Sequence, residues 1–271
     1  MLTFPKFLLL SSNPKRELIL RGLTTLVGIP VVISILHLGS PFVDGMVWVL
    51  LTGMLFEWSR LNGKIPPHPL CYVAVFEGML MTYGPVVPLT FHSTIALVIL
   101  TAGFAFSHFS CRRYLLFIVG LVYITLSSVI LLCLSHQELL LIWLLSLVWA
   151  TDIGAYIFGS WLGGPKLAPR LSPKKTWSGF IGGCLTALIF GVSLQKILNL
   201  PPIMAIPWVP LILILAVASH IGDLLESMLK RYFGFKDSGH IIPGHGGLLD
   251  RLDSLLFVVI IYGMLLVFMK L

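Results

Sequence analysis

The chain predicts an all-α fold: a polytopic transmembrane helical bundle of about nine spans with its amino terminus in the cytoplasm. Three observations carry that expectation. Of 271 residues, 57% are hydrophobic and 11% charged, against about 45–50% and about 25% in soluble domains. So few charges could not cover a soluble surface. The apolar runs last about 20 residues without alternating, the length a helix needs to cross ~30 Å of hydrocarbon, which favours helices over barrel strands. Sixteen of the eighteen Lys and Arg residues also fall on one side when the spans are counted in order, as the positive-inside bias requires.

The spans are expected at 22–39, 42–59, 70–88, 92–109, 114–134, 138–161, 178–198, 206–228 and 252–270. The third has the weakest pattern, since Gly84, Pro85 and Pro88 interrupt it and Glu77 lies within it. The cationic side receives Lys6, Lys15, Arg16 and Arg21, then Arg60 and Lys64, then Arg112 and Arg113. It next receives Lys166, Arg170, Lys174 and Lys175, and lastly Lys230, Arg231, Lys236 and Arg251, leaving Lys196 and Lys270 opposite. The net charge of +7 is then a cytoplasm-facing property that serves topology and attracts anionic headgroups, at ~1 kcal/mol per residue near the surface. Membrane lipids are the expected partner, and nucleic acid is not.

Smaller features have plain readings. The apolar patch Phe7–Leu10 is too short for a signal-peptide core, so no cleavage is expected. Cys71, Cys111, Cys133 and Cys184 stand singly and suit buried packing rather than a disulfide or zinc site. Trp58, Trp161, Trp177 and Trp208 fall at span ends, where aromatic rings anchor at the interface. Gly159 with Gly163, and Gly179 with Gly183, have the spacing of closely packed helices. Residues 1–140 read as spans for packing and oligomer contacts, a homodimer among them. Residues 141–271 read as a catalytic membrane domain with two polar cytoplasmic loops, 162–177 and 229–251.

Three polar groupings converge on the cytoplasmic face. Asp152, inside the sixth span, faces either a cavity or an ion-pair partner, because a lone acid in hydrocarbon costs about 2.5–3.5 kcal/mol on insertion scales. Ser172-Pro173-Lys174-Lys175-Thr176 offers hydroxyls and ammonium groups to a polyphosphate, although a basic loop also serves topology. Asp223, Glu226, Ser227 and Lys230 share one helical face by their i, i+3, i+4, i+7 spacing. The chain then turns through Pro243, Gly244, His245, Gly246 and Gly247 to Asp250 and Asp253 at a helix start. Those last two acids suit helix capping and metal binding alike. Carboxylates without nearby thiols suit Mg²⁺, and no His-x-x-x-His or HExxH pattern supports zinc. For His245 a phosphate contact or a structural hydrogen bond is expected. The alternative from another class is a transporter using Asp152, Asp223 and Glu226 as a cation pathway.

The run Ser227-x-Leu229-Lys230-Arg231-x4-Lys236-Asp237-x-Gly239-x2-Ile242-Pro243-x-His245-Gly246-Gly247-Leu248-x-Asp250-Arg251-Leu252-Asp253 resembles, without a break, the signature of the phosphatidate cytidylyltransferases. Asp152-x-x-Ala155-Tyr156 and Ser172-Pro173-Lys174-Lys175-Thr176 resemble further motifs of that family, in the same order. Ser160 and Ser178 depart from it, standing where the family often has a basic residue and Glu or Gln. The resemblance implies a bacterial inner-membrane enzyme making CDP-diacylglycerol and pyrophosphate from CTP and phosphatidate, with Mg²⁺ and room for a second cation. It implies metal ligation by Asp223 and Asp250, with Asp253 or Glu226 in support. Lys230, Arg231, Lys236, Asp237, His245 and Arg251 are then expected in catalysis. Asp152, Ser172, Lys174, Lys175, Thr176 and Ser227 are expected in substrate binding.

Overall fold

The computed structural model describes residues 14–61, 112–201, 207–239, 241–242 and 246–270. They form seven helices: α1 (Pro14–Leu38), α2 (Phe42–Leu61), α3 (Arg112–Ser135), α4 (Glu138–Trp161), α5 (Trp177–Ile197), α6 (Trp208–Tyr232) and α7 (Leu249–Lys270). Six of these, α2 to α7, are long and apolar enough to cross a membrane. The expected spans at 70–88 and 92–109 lie outside the described residues. The described chain is mostly helical, as expected, and the loop after α4 adds a feature the sequence reading lacks, a two-stranded antiparallel hairpin, β1 (Lys166–Ala168) and β2 (Ser172–Thr176). Its strands are too short, and too rich in Pro and Lys, to show a two-residue hydrophobic period.

Packing follows from where the small and apolar residues fall. The most extensive helix pair is α4 with α5. There a Cβ on Gly179 would stand 2.7 Å from the Ala155 carbonyl oxygen and 3.3 Å from the Gly159 Cα. Gly159, Gly179 and Gly183 therefore do pack helices closely. Gly163 does not: it lies beyond α4 at φ +62°, with nothing near its would-be Cβ, and serves a turn.

Two apolar clusters fill the bundle. One surrounds Trp143, Leu144, Ile212 and Tyr262; the other surrounds Trp58, Phe117, Ile124 and Leu256. Trp58 corrects another expectation, because it is buried rather than interfacial. Its Nε1 donates to the Phe117 carbonyl at 2.8 Å and its ring meets Phe233 edge-on. Trp161 is well exposed and Trp177 half exposed, as anchors should be.

The same contacts fix which helix ends lie together. Asp44 near the start of α2 accepts from Ser135 at the end of α3, while Trp58 near the end of α2 meets Phe117 near the start of α3. The end of α2 is also joined to the start of α7. The ends of α2, α4 and α6 and the starts of α3, α5 and α7 thus share one end of the bundle. Lys196, in the last turn of α5, lies at the other.

Candidate active site

At that shared end, the hairpin and α6 meet through charge. Lys175 is the penultimate residue of β2, one before the helix cap. The cap is Thr176, whose Oγ1 accepts from the Gly179 amide at 3.1 Å and pairs with Ser178 Oγ at 3.0 Å. Ser178 Oγ in turn donates to the Gly163 carbonyl. This cap holds the hairpin against α5. Lys175 Nζ then reaches across to Asp223 Oδ2 on α6 at 2.6 Å. A cavity of about 440 Å³ opens between α4, β2, α5 and α6, lined by Asp152, Lys174, Lys175, Thr176, His220 and Asp223 among others. Asp152 lies within electrostatic reach of Asp223, Asp253 and Lys175. It faces this cavity, the first of its two expected settings.

The second ionic group adjoins it through α6. Lys230 Nζ lies 2.6 Å from Asp250 Oδ1 and 3.3 Å from Glu226 Oε1. Asp250 Oδ2 accepts from the amides of Ser238 at 2.8 Å and Gly247 at 2.9 Å. One carboxylate therefore ties α7, the preceding loop and α6 together. Ser227 Oγ donates to Asp223 Oδ1 at 3.4 Å, one turn along the same face. Asp253 Oδ1 accepts from the Ser254 amide at 2.7 Å.

The expected site residues thus fall into two sets. Asp152, Lys174, Lys175, Thr176 and Asp223 share the cavity. Glu226, Lys230 and Asp250 form the neighbouring ionic group, with Asp253 within its electrostatic reach. Ser172 opens β2, half-buried. Arg231, Lys236, Asp237 and Arg251 are exposed around the loop, with the Arg231 guanidinium donating to the Phe235 carbonyl at 3.3 Å. His245 lies outside the described residues.

Whether this donor set fits a hard cation can be tested on its atoms. The acids offer oxygen alone, and both Glu226 oxygens are buried, with the Lys230 ammonium 3.3 Å from Oε1 as their charged neighbour. Asp250 Oδ2 is fully used by two amides, while Oδ1 keeps a lone pair beyond Lys230. The chemistry fits Mg²⁺. Among the described residues, however, no three His, Cys, Asp or Glu side chains already converge to hold an ion.

A further acid, unmarked by the sequence motifs, reaches this end of the bundle. Glu57 on α2 is fully buried and accepts from Ser238 Oγ at 2.9 Å, the Leu248 amide at 2.9 Å and the Leu249 amide at 3.0 Å. Its sequence signal is the same as that of Asp152, an acid inside an apolar span.

The profile described as "Cytidylyltransferase family" matches residues 19–269, including the half where sequence motifs were silent. The phosphatidate cytidylyltransferase of Brucella suis biovar 1 (strain 1330) is 52% identical over 115 residues, which is 42% of each chain. That of Bacillus subtilis (strain 168) is 37% identical over 221 residues, 79% of this chain and 73% of the relative. That of Staphylococcus epidermidis (strain ATCC 12228) is 47% identical over 123 residues, 45% of this chain and 46% of the relative. The match thus spans less than half the length of the Brucella relative.

Proposed function

The chain belongs to the cytidylyltransferase family, and we propose on that premise that it is an integral-membrane enzyme making CDP-diacylglycerol and pyrophosphate from CTP and phosphatidate. The observation that best supports this is the ion pair of Lys175 with Asp223, which draws a cationic hairpin onto an acidic helix beside a cavity. Such a place can hold polyphosphate and its counter-cation together.

In the reaction, a phosphate oxygen of the lipid attacks the α-phosphorus of CTP. One P–O bond forms, the bond from that phosphorus to the β-phosphate bridging oxygen breaks, and pyrophosphate leaves with the electron pair. The nucleophile is already ionised near neutral pH, so no base is required. The main barrier is bringing two anions together, and proximity with fixed cations supplies most of the help in such transfers.

Ser172, Lys174, Lys175 and Thr176 hold one substrate's phosphates from the hairpin side. Lys230, Arg231 and Lys236 neutralise charge from the α6 side, Asp237 orients a cation, and Arg251 adds positive charge at the start of α7. Asp223 and Asp250, with Asp253 or Glu226, would hold Mg²⁺, with room for a second cation. When bound, the ion supplies charge neutralisation at the phosphates. The cationic end faces the cytoplasm of a bacterial inner membrane, where soluble CTP meets a headgroup whose tails stay in the bilayer.

Purified chain given CTP, phosphatidate and Mg²⁺ should release pyrophosphate, and omission of the lipid or chelation of the metal should stop it. A folded sample that releases none contradicts the reading.

A further inference from the structure

Two carboxylates grip the loop between α6 and α7, and one comes from a helix that no sequence motif marked. Asp250 takes the amides of Ser238 and Gly247, while Glu57 takes the hydroxyl of Ser238 and the amides of Leu248 and Leu249. Ser238 is held by both. The fit around Glu57 is close: a Cβ on Gly239 would stand 2.4 Å from Glu57 Oε1, and one on Gly247 would stand 2.7 Å from Oε2. Glycine at both places lets the backbone come down onto the carboxylate.

We propose that Glu57 is a positioning residue for the transfer reaction, acting through Ser238, Leu248 and Leu249 to keep Asp250 aimed at Lys230; this rests on the cytidylyl-transfer reading above. Helix packing alone gives no reason for an anion here, since burying an unpaired carboxylate is strongly disfavoured. The first amides of α7 do give a reason. They lack partners within their helix and favour an anion, and Glu57 supplies it from α2. This helix terminus is therefore occupied by the protein's own carboxylates and is closed to a substrate phosphate. Phosphate binding then falls to the hairpin and to the cationic residues around the end of α6.

The test compares wild type, Glu57→Gln, Ser238→Ala and the double variant of the full chain in one detergent. It reads steady-state kinetics and amide hydrogen exchange. Glutamine keeps the size but turns an amino group toward a backbone donor. Glu57→Gln should speed exchange at Ser238, Gly247, Leu248 and Leu249 about tenfold or more, with α4 and α5 unchanged. It should lower kcat by about tenfold while KM for CTP stays within about threefold. Ser238→Ala, which removes one donor, should cost about threefold in kcat and add nothing in the Glu57→Gln background. Wild-type turnover reads the function itself, so the exchange result stands apart from it. The proposal is overturned by unchanged loop exchange, by kcat within about twofold of wild type, or by losses that multiply in the double variant. Should Glu57→Gln fail to fold, Ser238→Ala decides alone: full activity with unchanged loop exchange overturns the proposal.

Discussion

Asp223 and Asp250 carry the same functional group but answer to different lysines, and their surroundings separate their effects. The Asp223 side chain is 34% exposed and pairs with Lys175, so the pair itself contributes about 0–1 kcal/mol. Asp250 is 10% exposed and pairs with Lys230, itself 11% exposed. Removing one partner of a buried pair costs about 3–5 kcal/mol. Asp223→Asn should therefore abolish turnover while leaving the unfolding midpoint in detergent nearly unmoved. Asp250→Asn should abolish turnover and lower that midpoint clearly, with membrane insertion retained in both. Near-normal activity in either variant would remove it from the proposed metal site. Lys196→Ala, at the opposite end of the bundle, should leave turnover unchanged.

At the scale of elements, the α4–α5 contact and the hairpin set the cavity's shape. The Ala155 carbonyl facing Gly179 is backbone and cannot step aside. Gly179→Ala should thus cost about 1–3 kcal/mol by overpacking and lower activity by shifting Asp152 away from Lys175. Gly163→Ala meets open space and carries only the strain of a positive φ, about 1–2 kcal/mol. Thermal unfolding of the two variants beside wild type, with turnover measured on the same samples, checks the contrast: activity should fall with Gly179→Ala much more than with Gly163→Ala.

Elements differ in how plainly the sequence encodes them. Asp223, Glu226, Ser227 and Lys230 are readable as one face because the helical period alone puts them there, and their contacts join them in two pairs, Ser227 with Asp223 and Lys230 with Glu226. The hairpin was not readable, because a two-residue period needs more residues than its strands possess. Trp58 looked like an interface anchor because its place at a span end was visible, while the neighbours that bury it, Phe117 and Phe233, are distant in sequence.

Across the whole molecule, helix directions bring the described cationic clusters to one end, with Lys196 at the other. That distribution supports the proposed cytoplasmic orientation and gives it a test. In a cysteine-free background, Arg170→Cys should react with an impermeant thiol reagent only in inverted membrane vesicles. Lys196→Cys should react only in right-side-out ones, and the reverse pattern would invert the topology. The bundle's composition made its class plain, since so few charges leave no soluble alternative. Glu57 is legible as an acid inside an apolar span, but its partners, Ser238, Leu248 and Leu249, lie nearly two hundred residues away, a separation no local pattern encodes.

Cytidylyl transfer requires attack at the α-phosphorus of CTP. Incubating the purified chain with phosphatidate, Mg²⁺ and CTP labelled at either the α- or the γ-phosphate tests it most directly. The α-label should move onto the lipid, and the γ-label should leave as pyrophosphate. Appearance of the γ-label on the lipid, with CDP left behind, would make the chain a kinase and contradict the account.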